Sequence, residues 1–317
     1  MSEALSAGID IGGTKAEVAL VRGREVVAHQ RFPTGGKTAE EIVGEAAATL
    51  RALLPAGAAP RAVGVGVAGR VEPGSGLVFQ APNLGWKSYP LGERLTAALR
   101  LPVSVLNDVQ AATYAEGVYG AGRGASSVVA LFIGTGIGSG ILEGGSLLRG
   151  CSGSAGEWGH SVVDYRGALC TCGNRGCLET LAAGWGIARL AREAVTADPV
   201  AGEALLARVG GEVEHITTRA VGEAATAGDP LALGVFETAA EALGAGLASI
   251  VNALDPCRIV LGGGVMEGYP TLLKTADERM RARLAASVAV IPPLMPAELG
   301  RFSGVIGAAE WASANTP

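Results

Sequence analysis

Apolar positions along this chain come in short blocks that stop at glycines, and these blocks alternate with stretches of helical period. Residues 7–21, AGIDIGGTKAEVALV, read as a strand, the turn Gly12-Gly13-Thr14-Lys15, and a second strand carrying Val18, Leu20 and Val21. Residues 128–142, VVALFIGTGIGSGIL, repeat that form about 120 residues later, with Gly134-Thr135-Gly136-Ile137-Gly138 as the turn. Each hairpin opens a β/α series. After the first, Thr38 and Glu41 form a capping box before a helix with Ile42, Val43, Ala46, Leu50 and Leu53 at helical spacing. A strand over 62–68 ends at Gly69, a turn-rich segment carries Asn83, and a second helix is expected over 91–99. Residues 103–106 form a short strand that runs into Asn107-Asp108 and a further helix. Asp229-Pro230 then starts one long helix by cap and N1 proline, and Asp255-Pro256 stops it. A strand over 258–261 breaks into Gly262-Gly263-Gly264, and residues 303–311 read as a short terminal helix packing back on a domain.

This pattern bears on chemistry. Glycines between two strands, rather than between a strand and a helix, argue against a dinucleotide fold. A turn offering backbone N–H groups, the Thr14 hydroxyl and the Lys15 ammonium suits phosphate oxygens. Two such hairpins facing each other would clamp the phosphates of a nucleotide; an ordinary Gly-rich hairpin is the alternative for either alone. Asp10 points from the first turn and could hold a Mg²⁺ shell through water. Asp108 stands at a strand end and a helix N-terminus, as an N-cap, as a base kept ionised by the helix dipole, or as both. The triple glycine would let a flat ring or ribose approach the backbone, with a plain loop as the alternative.

The densest chemistry lies in EWGHSVVDYRGALCTCGNRGCLE, from Glu157 to Glu179. It holds three of the five cysteines and one of the three histidines. Cys170, Cys172 and Cys177 are spaced C-x-C-x4-C after His160, and three thiolates with one imidazole make a full tetrahedral set for zinc. Gly173 and Gly176 fall where a tight knuckle needs positive φ. The spacing is not a C-x2-C finger pattern, so a reduced cysteine cluster or a disulfide stands as the alternative. With all four positions filled by protein the metal would be structural. Glu157 and Glu179 flank it, and with an outward ring N–H they form an array suited to a small polyhydroxylated ligand.

Composition narrows the class. The chain of 317 residues is 49% hydrophobic and 17% charged, which describes a globular protein long enough for two cores. A net charge of -5 gives no footprint for nucleic acid or an anionic membrane. No apolar run is expected to span a membrane, which takes roughly 18 residues, and the N-terminus lacks signal character. Five cysteines, three of them close together, fit a reducing compartment, so the cytoplasm is expected.

Taken together, DIGGTK (10–15), NLGW (83–86), LND (106–108), GTGIGSG (134–140), EWGH (157–160), CTCGNRGCLE (170–179) and LGGG (261–264) resemble the ROK family of sugar kinases, most closely its bacterial glucokinases, over nearly the whole chain. The resemblance implies an α/β, actin-like ATPase (ribonuclease H-like) fold of two domains with a central active-site cleft. It places a small domain at 1–108 plus about 300–317 and a large one at 109–299. It implies structural zinc on His160, Cys170, Cys172 and Cys177, and sugar hydroxyls held by Gly69, Asn83, Asn107, Asp108, Glu157, His160 and Glu179. ATP phosphates with Mg²⁺ would be held by Asp10, Gly12, Gly13, Thr14, Lys15, Gly134, Thr135, Gly136 and Gly138, with Gly262, Gly263 and Gly264 near the adenosine. Asp108 would be the base in phosphorylation of a hexose 6-hydroxyl, glucose first. N-acetylglucosamine, N-acetylmannosamine, fructose or mannose is the alternative acceptor, and a homodimer or homotetramer is implied. The family's sugar-responsive repressors carry an N-terminal helix-turn-helix, for which a hairpin beginning by residue 8 leaves no room. Two departures from the usual pattern bear on the sugar pocket: Val109-Gln110 stands for Ala-Asn after the LND motif, and Ala68 stands for a proline before Gly69.

Overall fold

The computed structural model of the chain describes residues 5–316. Strand β1 (Ser6–Ile11) returns through the first glycine turn as β2 (Lys15–Arg22), antiparallel, with Ile9 opposite Val18 and Asp10 opposite Glu17. Both strands are buried on both faces, hence their nearly continuous apolar runs. β3 (Glu25–Pro33) is the edge strand, and its alternating exposure shows one wet face. The capping box opens α1 (Ala39–Leu53) as expected: Glu41 N–H donates to the Thr38 hydroxyl, and Thr38 N–H donates to the Glu41 carboxylate at 2.7 Å. β4 (Val63–Val67) lies parallel to β1. A small sheet of β5 (Arg70–Val71), β6 (Val78–Ala81) and β7 (Trp86–Tyr89) comes next, then α2 (Leu91–Leu99), then β8 (Val103–Asn107) parallel to β4, then α3 (Asp108–Val118).

The chain goes on through β9 (Ser127–Ile133), β10 (Ile137–Glu143) and β11 (Ser146–Leu147). After the cysteine stretch come α4 (Glu179–Ala182), α5 (Gly184–Ala197), α6 (Glu203–Arg208), α7 (Thr218–Thr226) and the long α8 (Pro230–Leu254). β12 (Arg258–Gly262), α9 (Gly264–Gly268), α10 (Thr271–Arg281), β13 (Leu294–Pro296) and α11 (Ser303–Asn315) complete it. The two large sheets are ordered β3-β2-β1-β4-β8 and β11-β10-β9-β12-β13. Each is a glycine-turned hairpin extended by three further strands in the same order, so the internal repeat seen in the sequence is a repeat of topology.

By contacts the chain forms two compact units. The first holds the described residues through Val129, Gly140–Gly156, and those from Ala297 on; the second holds Ala130–Ser139 and Glu157–Pro296. Residues 109–129 and 140–156, both expected with the large domain at 109–299, group with the first unit, where α3 packs along α11. In the second unit α8 is long and apolar enough to cross a membrane, contrary to the expectation that no segment would be, yet 61% of its apolar window is buried inside the protein. Val235, Phe236, Leu243, Leu247, Ile250 and Val251 form its packed face.

In the first unit Ile9, Ile11, Leu20, Ile42, Leu50 and Leu95 are fully buried on one side of the sheet, each contributing about 1.5–3 kcal/mol. The other side carries α11, and there the contact is backbone to backbone. Gly8 and Gly64 are paired neighbours on β1 and β4. A Cβ on Gly8 would sit 2.2 Å from the Val305 carbonyl oxygen, and one on Gly64 would sit 1.7 Å from that of Ala308. Gly307 meets α3 as closely, 1.7 Å from the Ala111 carbonyl oxygen. Gly64→Ala is therefore expected to lower stability by about 3 kcal/mol. Gly44 stands within α1 with nothing near its missing Cβ, so Gly44→Ala should stabilise by about 0.5–1 kcal/mol. Urea denaturation of both variants checks the pair; equal effects would refute the backbone-contact account.

Candidate functional site

The first unit brings together the acids and amides expected to hold a sugar. Asn107, the last residue of β8, caps α3: its Oδ1 accepts the N–H groups of Val109 at 3.0 Å and Gln110 at 3.1 Å. Asp108 is thus not the cap but the first helical residue, where the helix dipole favours its carboxylate. Its Oδ1 accepts from the Asn107 amide at 2.9 Å and Val109 N–H at 3.0 Å, and the same amide donates to the Gly69 carbonyl at 3.1 Å. Gly66 lets the two acids approach each other, since a Cβ there would lie 3.3 Å from Asp10 Oδ1 and 3.4 Å from Asp108 Cα. Asp10 also abuts the first turn of α11, with Oδ2 2.7 Å from where a Gly304 Cβ would be.

Glu17 stands opposite Asp10 and opposite Arg31, and is paired with Arg31 and, at 2.7 Å, with His29. Burial above all, then the charges of Asp108 and Glu17, push the Asp10 pKa up to about 7 against the opposing pull of Lys15. The first glycine turn rests on Asn83: a Gly13 Cβ would fall 2.7 Å from the Asn83 Cβ. Gly12 N–H closes the turn on the Lys15 carbonyl at 3.0 Å, so it is not the free donor expected; Thr14 and Lys15 are exposed.

The second unit holds the cysteine cluster. The knuckle closes with Cys170 N–H on the Asn174 carbonyl at 2.7 Å and Gly173 N–H on the Cys170 carbonyl at 3.0 Å, while Gly173 and Gly176 take φ of 94° and 65° as the spacing predicts. One donor atom from each of His160, Cys170, Cys172 and Cys177 lies within 4.8 Å of the others. All five cysteines are free thiols, so the disulfide alternative falls. Cys172 and Cys177 sulfurs are 3.6 Å apart, and Cys170 sulfur is 3.7 Å from His160 Nδ1. A tetrahedral ion with bonds of about 2.3 Å to sulfur sets its ligands roughly 3.8 Å apart, so the four residues can hold a metal ion with little movement. Burial pushes the Cys170 thiol up to about 12, whereas the Asn174 backbone N–H lowers Cys172.

Glu179, buried at the start of α4, ties this cluster to the second glycine turn. It accepts from Cys170 Sγ and from the Thr171 hydroxyl, each at 3.2 Å, and from Ile137 N–H at 3.5 Å. The EWGH turn docks on the same strand: Trp158 N–H donates to the Ser139 hydroxyl at 3.0 Å, and Gly159 passes the Ile137 carbonyl where a Cβ would come within 2.1 Å. Glu157 is exposed and His160 partly so.

A pocket of ≈ 880 Å³ opens beside Gly134 and Thr135 of this turn, lined further by Trp185 and Arg192 of α5, Phe236 of α8, and Gly264 and Tyr269 around α9. Gly263 makes the bend there with φ 94°, where a Cβ would strike the Ile133 carbonyl 2.5 Å away. Sequence reading found the glycines but not the aromatics. Trp185, Phe236 and Tyr269 come from three separate elements, and only the scarcity of aromatic residues, 4% of the chain, could have drawn notice to them.

The chain belongs to the ROK family, whose model matches residues 6–315. It is 37% identical to a glucokinase of Halalkalibacterium halodurans over 97% of this chain and 94% of that one. It is 35% identical to an N-acetylmannosamine kinase of Shigella boydii over 84% and 86%. A ROK family glucokinase from Streptomyces griseus, solved with glucose and AMPPNP, is 36% identical and superposes with a TM-score of 0.84 over 98% of this chain and 100% of that one. The fold is the actin-like ATPase fold of that family, with its two repeated sheets.

The Asp10 carboxyl gives a pH test. A folded pKa raised from 3.8 to about 7 means that ionising Asp10 disfavours the fold: its contribution is full below pH 4 and is lost as pH rises through 7. The stability of wild type relative to Asp10→Asn should therefore fall between pH 4 and pH 7, as chemical denaturation across that range would show. A flat difference would mean that Asp10 titrates normally.

Proposed function

We propose that this chain transfers the γ-phosphoryl group of ATP to the 6-hydroxyl of glucose, with Asp108 as the general base. The adjacency of Asp10 and Asp108 across Gly66 carries the reading, because it sets an acid able to hold a hydrated cation beside an acid able to take a proton. Phosphoryl transfer passes through a loose transition state, so catalysis is mostly positioning and charge neutralisation. Asp108, fixed by Asn107 and Val109 N–H, accepts the sugar proton late, as the oxygen attacks phosphorus in line with the leaving group. Gly69, Asn83, Asn107, Glu157, His160 and Glu179 hold the sugar hydroxyls. Gly13, Thr14, Gly136 and Gly138 offer backbone donors to phosphate oxygens, with Gly12, Gly134 and Thr135 shaping the turns and the Lys15 ammonium adding charge. Gly262, Gly263 and Gly264 face the nucleoside, for which the pocket beside them has room. Mg²⁺ carried with ATP would neutralise charge on the transferred group, and Asp10 would order its water shell.

Zinc is the metal proposed for His160, Cys170, Cys172 and Cys177, since three sulfurs and one nitrogen suit it and all four positions come from protein. It stiffens the segment bearing Glu157, His160 and Glu179. Free thiols throughout support the reading of a cytoplasmic protein, and a homodimer or homotetramer is the assembly proposed for it. The kinship with an N-acetylmannosamine kinase supports a second reading, the same reaction on an acetamido sugar.

An ADP-release assay with Mg-ATP against glucose, N-acetylglucosamine, N-acetylmannosamine, fructose and mannose decides between them. Glucose should be preferred, and Asp108→Asn should lower kcat about a thousandfold while calorimetry still detects sugar binding. A near-normal rate in that variant would remove Asp108 as base; turnover of an acetamido sugar alone would keep the mechanism and move the substrate. Elemental analysis should find about one zinc per chain, with Cys172→Ser losing zinc and raising the glucose KM by about tenfold. Full activity without metal would sink the structural role.

A further inference from the structure

The Gln110 side chain has an engagement outside the proposed chemistry. It is 5% exposed, and its Nε2 donates to the Gly153 carbonyl at 3.0 Å. Gly153 lies in the glycine- and serine-rich loop 150–156, at φ +79°, where a Cβ would stand 2.2 Å from the Val71 carbonyl oxygen. The loop is thus held from two sides at one residue, by an amide from α3 and by close backbone contact with β5. Gln110 N–H donates to Asn107 Oδ1 at 3.1 Å, and Asn107 Nδ2 donates to the carbonyl of Gly69, two residues before Val71, at 3.1 Å. The contacts close a ring through Gly69, Asn107, Gln110, Gly153 and Val71, all in the first unit, with Asp108 at its helical corner.

We infer that Gln110 is a positioning residue for the acceptor sugar: by pinning Gly153 it fixes the loop 150–156 beside Gly69, Asn107 and Asp108, the residues proposed to meet the sugar. This rests on the proposed hexose kinase reaction. A glutamine suits the task because its amide spans from the third residue past the cap to a carbonyl across the turn, and because a buried N–H must be matched by an acceptor. The matched pair holds the loop in one place. Gly153 has no side chain to brace it otherwise, and a loop of glycine and serine has little packing of its own.

Two variants test the inference. Gln110→Ala removes the donor, and Gln110→Glu keeps the shape but turns a second acceptor toward the Gly153 carbonyl. Kinetics against glucose and ATP should be measured on each, with zinc content and melting temperature alongside. Both should raise the glucose KM about tenfold with kcat within about threefold and the ATP KM unchanged, the size expected for one buried hydrogen bond. An unchanged glucose KM in both variants would overturn the inference and leave the reaction standing. So would a uniform loss of kcat that tracks melting temperature, since a structural role alone gives that. Wild type that phosphorylates no hexose would overturn the reaction itself, and the inference with it.

Discussion

Helix and sheet in the first unit meet through a contact that no side chain makes. α11 lies on β1 and β4 at backbone distance because Gly8 and Gly64 are side by side beneath it, and it crosses α3 at Gly307 in the same way. Removing the Cβ atoms draws helix and sheet together until carbonyl oxygens rest on Cα hydrogens, leaving little freedom to slide or tilt. The same sheet face carries Asp10, two residues after Gly8, and Gly66, two after Gly64. The strip of contact that seats α11 therefore also sets Asp10 against Gly304 and against the start of α3, where Asp108 stands. Packing and chemistry in this unit share one set of glycines.

What the sequence made legible was local. The capping box at Thr38, the two glycine hairpins, the proline that opens α8 and the positive-φ glycines of the cysteine knuckle all depend on residues within a few positions of one another, and the structure has each of them. The glycines of VGVGV were legible as strand but not as a seat for α11, because the partner is some 240 residues on and the requirement is visible only once both are placed. Asn107 rather than Asp108 caps α3 because its amide answers two N–H groups and Gly69 at once, and the second of those tasks is tertiary. The aromatic pocket was hidden for the same reason. So was the fate of α8, whose composition alone does not tell a core helix from a membrane span.

Electrostatics adds a second constraint. Asp10, Asp108 and Glu17 are gathered in one region, Arg31 and His29 answer Glu17, and Lys15 alone is set against Asp10 among the causes of its shift. A carboxyl raised to about 7, by burial first and then by the charges of Asp108 and Glu17, marks a place where negative charge is poorly solvated and not fully neutralised. Such a place favours a cation brought with the ligand, and the Glu17 pairings keep the excess local by cancelling it one strand further on.

The two units answer the need for rigidity differently, and the difference follows from their composition. The acids of the first unit stand on strand ends and a helix start, elements with a core beneath them, so glycine contacts suffice to fix them. The stretch from Glu157 to Cys177 has only a three-residue turn and two isolated bridges, with Val162, Tyr165 and Leu169 exposed, so it has little apolar area to bury. A segment of that kind cannot hold a carboxylate to a few tenths of an ångström by packing. Four converging donors can do so through one ion, and Glu179, bonded both to a cysteine and to the second glycine turn, passes that stiffness to the strand pair beside it. A metal on these four donors would supply stiffness where the core is thin.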